Sequence, residues 1–179
     1  MKSYVYDLPA GPGKRWLKSG PLSNVIGGWR VSGVLTLTGT PLTITGGSAL
    51  NTPGSTQTAN QVKPDVQILH GINIGNPWFD PTAFVTETRN GVFGNTGRNI
   101  MNGPGLFNLD ASLFKIVKFA ERFALEIRGE AFAVTNTPQF SNPGTNAANF
   151  NPDPSKNTFG VVTGAGGARG LQLGLKLNF

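Results

Sequence analysis

The chain has 179 residues, no cysteine, a formal net charge of +6 and only 13% charged residues. The lack of cysteine excludes disulfides and thiolate metal sites, and no apolar run approaches the ~20 residues of a transmembrane helix. Lysine and arginine are scattered except at Lys14, Arg15 and Lys18, so we expect no nucleic-acid partner.

The first predicted strands lie near the start of the chain. A weak strand runs over Ser3–Leu8 and ends at a segment rich in proline and glycine. From Trp29 onward apolar residues alternate with polar ones, with Val34 as the exception, and the pattern resumes past Gly39. Because successive side chains of a strand point to opposite faces, this alternation predicts a half-buried strand over 29–45.

A hairpin is predicted in the second half of the chain, with strands over 107–118 and 123–134 and a short turn near 120–122. One face of its second strand is apolar. The other carries three charges in succession, Glu126, Arg128 and Glu130. Such charges cannot lie unpaired in a dry core, so we expect that face to contact water. Arg128 between the two carboxylates favours an ion pair over a hydrolytic carboxylate pair.

The last strand has the clearest pattern. Leucines at every second position from Leu171 to Leu177, followed by Phe179, alternate with Gln172, Gly174, Lys176 and Asn178. This strict period of two predicts a strand over 169–179 with one apolar and one polar face.

Two long segments separate these strands. Residues 46–106 and 135–168 are rich in Asn, Gly, Thr and Pro, and we interpret them as long polar loops. Loops of this length are unusual in a compact soluble domain but typical of the extracellular side of an outer-membrane barrel. If the C-terminus is periplasmic, both segments fall outside the cell, whereas the turn at 119–122 and the connection 9–28 fall inside.

The fold prediction is therefore an all-β chain of antiparallel strands from a transmembrane outer-membrane β-barrel. Trp29, Phe119, Phe123 and Phe179 fall at the periplasmic strand ends, where aromatic girdles lie. Odd-numbered apolar positions should face lipid. The predicted lumen-facing residues are Arg30, Asp110, Glu126, Arg128, Glu130, Gln172 and Lys176.

We predict no enzyme activity, and no catalytic, cofactor or metal-binding residues. His70 is the only histidine, which excludes zinc sites built from several histidines and makes a Ser-His-Asp site improbable for a lone loop residue. Asp80 and Asp153 lack the spacing of an EF-hand calcium loop.

The order of short motifs resembles the C-terminal region of TonB-dependent receptors of the Oar-like type, which carry an N-terminal carboxypeptidase regulatory-like domain. The resemblance covers nearly the whole chain. The matching stretches are Ser3–Pro9, Gly28–Gly33, Leu37–Thr43, Trp78–Phe84, Phe93–Asn99, Gly103–Asp110, Arg128–Phe132, Asn136–Phe140 and Leu171–Phe179.

The resemblance implies a barrel of roughly 22 strands with a plug, located in the outer membrane and energised through TonB. Residues 1–179 would be its C-terminal portion, without the plug, the regulatory-like domain or a signal peptide. The implied partners are outer-membrane lipid, the remaining barrel and plug, the TonB complex, an unknown ligand and the barrel-assembly machinery, which would read Phe179 as a terminal aromatic. The alternative is a soluble β-sandwich, as in a binding module or adhesin, because amphipathic strands also fit that fold.

Overall fold

The computed structural model describes residues 1–47, 57–120 and 123–179. Strands β1 to β11 span, in order, Lys2–Asp7, Trp29–Thr38, Pro41–Leu42, Asn60–Gln61, Phe84–Val85, Met101–Asn102, Leu106–Ala120, Phe123–Phe132, Gln139–Phe140, Ala165–Gly166 and Gly170–Asn178. A short helix α1 spans Pro21–Ile26, and single 3₁₀ turns span Pro81–Ala83 and Ala147–Asn149. No helix among the described residues is long and apolar enough to cross a membrane.

The chain forms two compact units. The first contains residues 1–37, 107–138 and 167–179, and the second contains 38–106 and 139–166. The first unit holds a five-stranded sheet in the order β1-β2-β7-β8-β11. Its strands follow one another in chain order, so the segments of the second unit are inserted after β2 and after β8.

Antiparallel pairing fixes the register of the sheet. Tyr4 lies opposite Gly33 on β2, Leu113 lies opposite Gly129 on β8, and Gly129 lies opposite Leu173 on β11. The hairpin β7–β8 and its pairing with β11 confirm the predicted antiparallel neighbours. Residues 121–122 of the predicted turn lie outside the described residues, and the ladder has an irregularity between Lys118 and Ala120.

The predicted strand over 29–45 is wrong beyond Thr38, where β2 ends. Leu42 instead pairs with Met101 in a separate two-stranded ladder. Leu42 and Ile44 are fully buried in the core of the second unit. Their period-two spacing therefore reflects burial in another core, which a pattern of alternation cannot distinguish from continuation of the same strand.

The described parts of the two predicted long polar loops, 46–106 and 135–168, supply most of the second unit, which is a folded body with its own core. Residues 48–56 of the first loop lie outside the described residues. The core of this unit centres on Phe79, Phe84 and Phe159, whose rings pack edge to face with centroids 5.3 to 6.1 Å apart. Edge-to-face pairs add to the free energy gained by burial alone. These aromatic residues are far apart in the sequence, so no periodic pattern predicts that they pack into one core.

Polar side chains stabilise the irregular backbone of this unit. The buried Thr96 hydroxyl donates to the Ala59 carbonyl over 2.8 Å, and the Gln57 amide donates to the Val92 carbonyl over 2.9 Å. A segment with few ladder hydrogen bonds must satisfy its buried backbone groups in this way. Thr96 and Gln57 thus satisfy backbone carbonyls of this unit that have no partner in a strand ladder.

Candidate functional site: the two faces of the sheet

The even-numbered side chains of β8 and β11 share one polar face. Glu126 lies opposite Lys176, and Glu130 lies opposite Gln172. Arg128 forms ion pairs with Glu126 at 2.9 Å and with Glu130 at 3.7 Å along the same strand. The predicted ion pair is present, and alternating charges within and between strands form one network.

The network lines a shallow depression of about 330 Å³ that Gly174 leaves open. Glu126 and Glu130 are partly buried, whereas Arg128 is exposed. Each charge has an opposite charge as neighbour, so the face presents fixed donors and acceptors with little net charge. Such a surface can hydrate and contact a polar solute.

Arg30 and Asp110 are on the same face, nearer the other edge of the sheet. The hydroxyls of Ser32 and Ser112 lie 2.7 Å apart, and Ser112 is the register partner of Glu130. Side chains at even positions of β2 and β7 therefore share the face of Glu130. The structure brings all the predicted lumen residues onto this one face.

Arg30 and Asp110 have local partners that limit what they can do. Arg30 forms an ion pair with Asp7 and stacks over the Phe114 ring, 5.3 Å from its centroid. Asp110 accepts the Ala133 backbone N–H over 2.9 Å. The Asp110 carboxylate thus joins β7 to the residue that follows β8, at the open end of the hairpin, and stabilises the local structure.

The opposite face is apolar and uncovered. It carries the leucines of β11, with Leu173 89% exposed and Leu171 75% exposed. Register places Ile127, Leu125 and Ala131 of β8 beside them. A soluble protein rarely exposes a contiguous apolar patch of this kind, and these side chains do not form the inner layer of a β-sandwich. The arrangement matches a wall with lipid on one side.

Lys115 interrupts this apolar face. Its register partner is Ile127, so its side chain points to the apolar side, yet only 6% of Lys115 is exposed. The ammonium donates to the Asn24 and Val25 carbonyls of α1 and lies 5.6 Å from the centroid of the Trp29 ring. Carbonyls at a helix C-terminus and an aromatic face both favour a cation.

Lys115 is not among the residues predicted from the sequence. The alternation that predicts the first strand of the hairpin extends from Leu109 to Leu113. Beyond Leu113 the polarity inverts, since Phe114 and Ile116 fall on the polar face and Lys115 on the apolar face. The sequence signal for this feature was a single lysine among the otherwise apolar odd-numbered positions of β7.

Aromatic residues gather at the end of the sheet where β2 and β8 begin and β7 and β11 end. Phe119 and Phe123 stack there, with centroids 5.9 Å apart. Trp29 begins β2 and donates its indole N–H to the Val25 carbonyl over 3.0 Å. Phe179 follows β11 and is 93% exposed. Recognition of Phe179 by the barrel-assembly machinery stays a prediction.

Glu87 in the second unit is a buried carboxylate that sequence analysis also missed. It accepts hydrogen bonds from Arg89, from Asn60 and from the backbone N–H groups of residues 88 and 89. The Arg89 guanidinium is the main cause that lowers the pKa of Glu87 well below its usual range. The short spacing Glu-x-Arg was the only signal in the sequence.

The carboxylates considered for calcium serve the backbone instead. Asp80 accepts the Thr82 N–H that begins a 3₁₀ turn and pairs with Lys63. Burial opposes ionisation of Asp80, but the bonds to Lys63 and Thr82 outweigh it and lower its pKa. Asp153 caps Ser155 in the same manner. Within the described ranges, no three histidine or acidic side chains are grouped to hold a metal ion.

Comparison with known proteins agrees with the two-faced sheet. A family model described as an outer membrane beta barrel domain matches residues 1–172. Searches of curated proteins and of solved structures found no match. The match covers most of the chain, and the antiparallel strands with one uncovered apolar face fit its description. The chain belongs to the outer membrane beta-barrel domain family.

Proposed function

We propose that the chain is a wall segment of a TonB-dependent receptor that takes up a ligand across the outer membrane. The observation that carries the proposal is the opposite chemistry of the two sheet faces. Leucines cover one face, and the network of Glu126, Arg128, Glu130 and Lys176 covers the other. In a transmembrane barrel, strands alternate between lipid and a polar interior in this way.

The TonB-dependent subtype is supported by the ordered motifs of the sequence and by the second unit. Small barrels have short connections, but here the connections between long strands fold into a body with its own aromatic core. A preformed surface on long connections suits ligand capture, because binding residues on loops need a rigid scaffold. The ligand would be recognised by this body and would pass along the polar face.

The chain itself would contribute no chemistry to a substrate. Passage needs a wall, hydrated contacts and a partner that supplies energy, and the proposed energy source is the TonB complex acting through the plug. The remaining barrel would pair with the open edges of β1 and β11, since an unpaired edge strand invites association. These partners are proposals.

Genetic epistasis tests the function. We expect deletion of the gene to abolish growth on a subset of the nutrients that a tonB deletion also loses, with no further loss in the double mutant. Complementation should require the polar network, so a gene carrying Glu126→Gln, Arg128→Gln and Glu130→Gln should restore outer-membrane protein but reduced uptake. A matched control gene carrying Asn178→Gln should restore uptake fully.

Additive defects in the double mutant would contradict energisation by TonB. Growth losses that appear only with detergent or antibiotic stress would instead indicate a structural role in the membrane, in which case the transport proposal is wrong while the barrel assignment stands.

A further inference from the structure

The connection between β1 and β2 is an ordered motif rather than a plain turn. The Trp16 carbonyl accepts the Gly11 N–H over 2.9 Å, and the Ala10 carbonyl accepts the Gly28 N–H over 3.2 Å. Gly11 and Gly27 touch backbone to backbone, because a Cβ at Gly11 would lie 2.8 Å from the Gly27 Cα. These contacts hold Trp16 beside α1.

The position of α1 is fixed on the apolar side of the sheet. Lys115 points to that side, as its register partner Ile127 shows, and it donates to the last carbonyls of α1. Trp29 donates to the Val25 carbonyl as well. The helix therefore lies against the apolar face, the kind of face that a transmembrane barrel turns to lipid, at the end where the aromatics gather.

The surface of this motif combines apolar and basic side chains. Trp16 is 59% exposed, Leu22 58% and Val25 69%. Lys14, Arg15 and Lys18 precede the helix, and no acidic residue lies between Asp7 and Trp29 on the chain. We call Lys14, Arg15, Lys18, Trp16, Leu22 and Val25 the rim patch. Exposed apolar side chains next to cations are typical of segments that lie in a membrane interface.

We propose that the rim patch binds the anionic phospholipid surface of the membrane in which the barrel is embedded. Two observations favour this occupant. The patch is continuous with the lipid-facing side of the sheet, and its basic charge complements anionic headgroups, toward which each lysine or arginine is attracted. Trp16 and the α1 side chains would sit at the acyl boundary, and the lysines and arginine would reach the phosphates. The inference rests on the barrel embedding and is independent of TonB and of any ligand.

The test measures partition of the full chain, diluted from detergent, onto vesicles of phosphatidylcholine with or without phosphatidylglycerol. We expect phosphatidylglycerol to strengthen binding, and a variant carrying Lys14→Gln, Arg15→Gln and Lys18→Gln to lose about 100-fold of that gain. The control variant carries Arg98→Gln, Lys156→Gln and Arg169→Gln, which remove the same charge from other exposed positions. It should retain the gain. Equal losses in both variants would show a general charge effect and overturn the proposal.

A second measurement identifies what covers the patch. The chain has no cysteine, so a single bimane label at Val25→Cys reports that site alone, with labels at Gln172→Cys and Leu173→Cys as references. We expect lipids with a nitroxide near the headgroup to quench the Val25 label, and phosphatidylglycerol to increase that quenching. Lipids with a nitroxide deep in the acyl chain should quench the Leu173 label, which lies on the apolar face of β11. The label at Gln172, an exposed position on the polar face of β11, should not respond.

The remaining outcomes separate the possible failures. Quenching at Leu173 without quenching at Val25 would overturn the rim patch while leaving the barrel intact. Quenching at neither site would contradict membrane embedding itself. A Val25 signal that changes with protein concentration in the absence of lipid would assign the patch to a second copy of the chain, and would also overturn the proposal.

Discussion

Lys115 shows how a single residue can join two elements at an apolar surface. A cation on a lipid-facing side is costly unless its hydrogen bonds are satisfied. Here the α1 carbonyls accept from the ammonium, and the Trp29 ring lies beside it. The lysine thereby anchors the helix, and the helix shields the lysine.

Replacing this lysine should release α1. For Lys115→Met we expect the free energy of local opening of α1 to fall by about 1–3 kcal/mol, because two carbonyls lose a charged donor. Hydrogen exchange of the amides in 22–28 measures this. The control Lys118→Met removes an exposed charge from the same strand and should leave exchange unchanged. Unaltered protection in Lys115→Met would mean that the anchor is unimportant.

Glu87 gives the second unit a dependence on pH. Its pKa is lowered in the folded state by Arg89 and Asn60, whereas an unfolded glutamate titrates at about 4.3. The ionised form therefore stabilises the fold above that pH, and this stabilisation is lost as the pH falls toward the folded pKa.

We accordingly expect Glu87→Gln to destabilise the second unit at pH 7, with the difference from the native chain shrinking as the pH is lowered below about 4. Denaturant unfolding at a series of pH values measures the difference. The matched variant Asp65→Asn removes an exposed carboxylate and should show a much smaller effect at pH 7. A difference for Glu87→Gln that is constant with pH would contradict the role of ionisation.

Among the elements, the long strands were the predictable part. The ends of β8 and β11 lie within two residues of their predicted positions. Strict alternation over many residues puts all the apolar side chains on one face in only one way, so these strands could be predicted. The prediction for β2 extended too far because it included Leu42 and Ile44. Two alternating apolar residues do not show which of two cores will bury them. The polar face could be predicted from Glu126, Arg128 and Glu130, whereas the local pairing of Asp110 with the Ala133 N–H depends on the fold.

The face assignment predicts opposite effects at adjacent positions of β11. Leu173→Arg should destabilise the membrane-embedded protein by about 2–4 kcal/mol if the position is near the bilayer midplane. Ile127→Arg on the neighbouring strand should act similarly. Gln172→Arg, on the polar face beside Glu130, should be nearly neutral. Unfolding from detergent or lipid measures all three, and equal effects at Leu173 and Gln172 would refute the assignment.

The aromatic core predicts that the second unit has its own cooperative stability. Phe79 is fully buried among Phe84 and Phe159, so Phe79→Ala should cost about 3–5 kcal/mol. Hydrogen exchange should then increase throughout 57–106 and 139–166, with the amides of the five-stranded sheet unaffected. Val85→Ala, at a half-exposed position, is the control. Unchanged exchange in Phe79→Ala would mean that these segments behave as independent loops.

At the scale of the whole molecule, the sequence predicted the division of the sheet into an apolar and a polar face but not the folded second unit. Alternation is a local signal that repeats every two residues, so it survives without knowledge of the tertiary structure. The second unit instead depends on contacts between residues far apart in the sequence, such as Phe79 and Phe159. The many polar residues around them give no local sign of a core. The compactness of this unit is what makes ligand capture a reasonable proposal for connections that composition alone marks as loops.

The central claim is that this chain is a wall with lipid on one side and water on the other. Cysteine scanning tests it most directly, since the native chain has no cysteine. Single cysteines at each position from 171 to 177 would be introduced in the protein located in the outer membrane, then exposed to a membrane-impermeant or a lipid-soluble maleimide. We expect even positions to react with the aqueous reagent and odd positions only with the lipid-soluble one. Uniform aqueous labelling along β11 would contradict the claim.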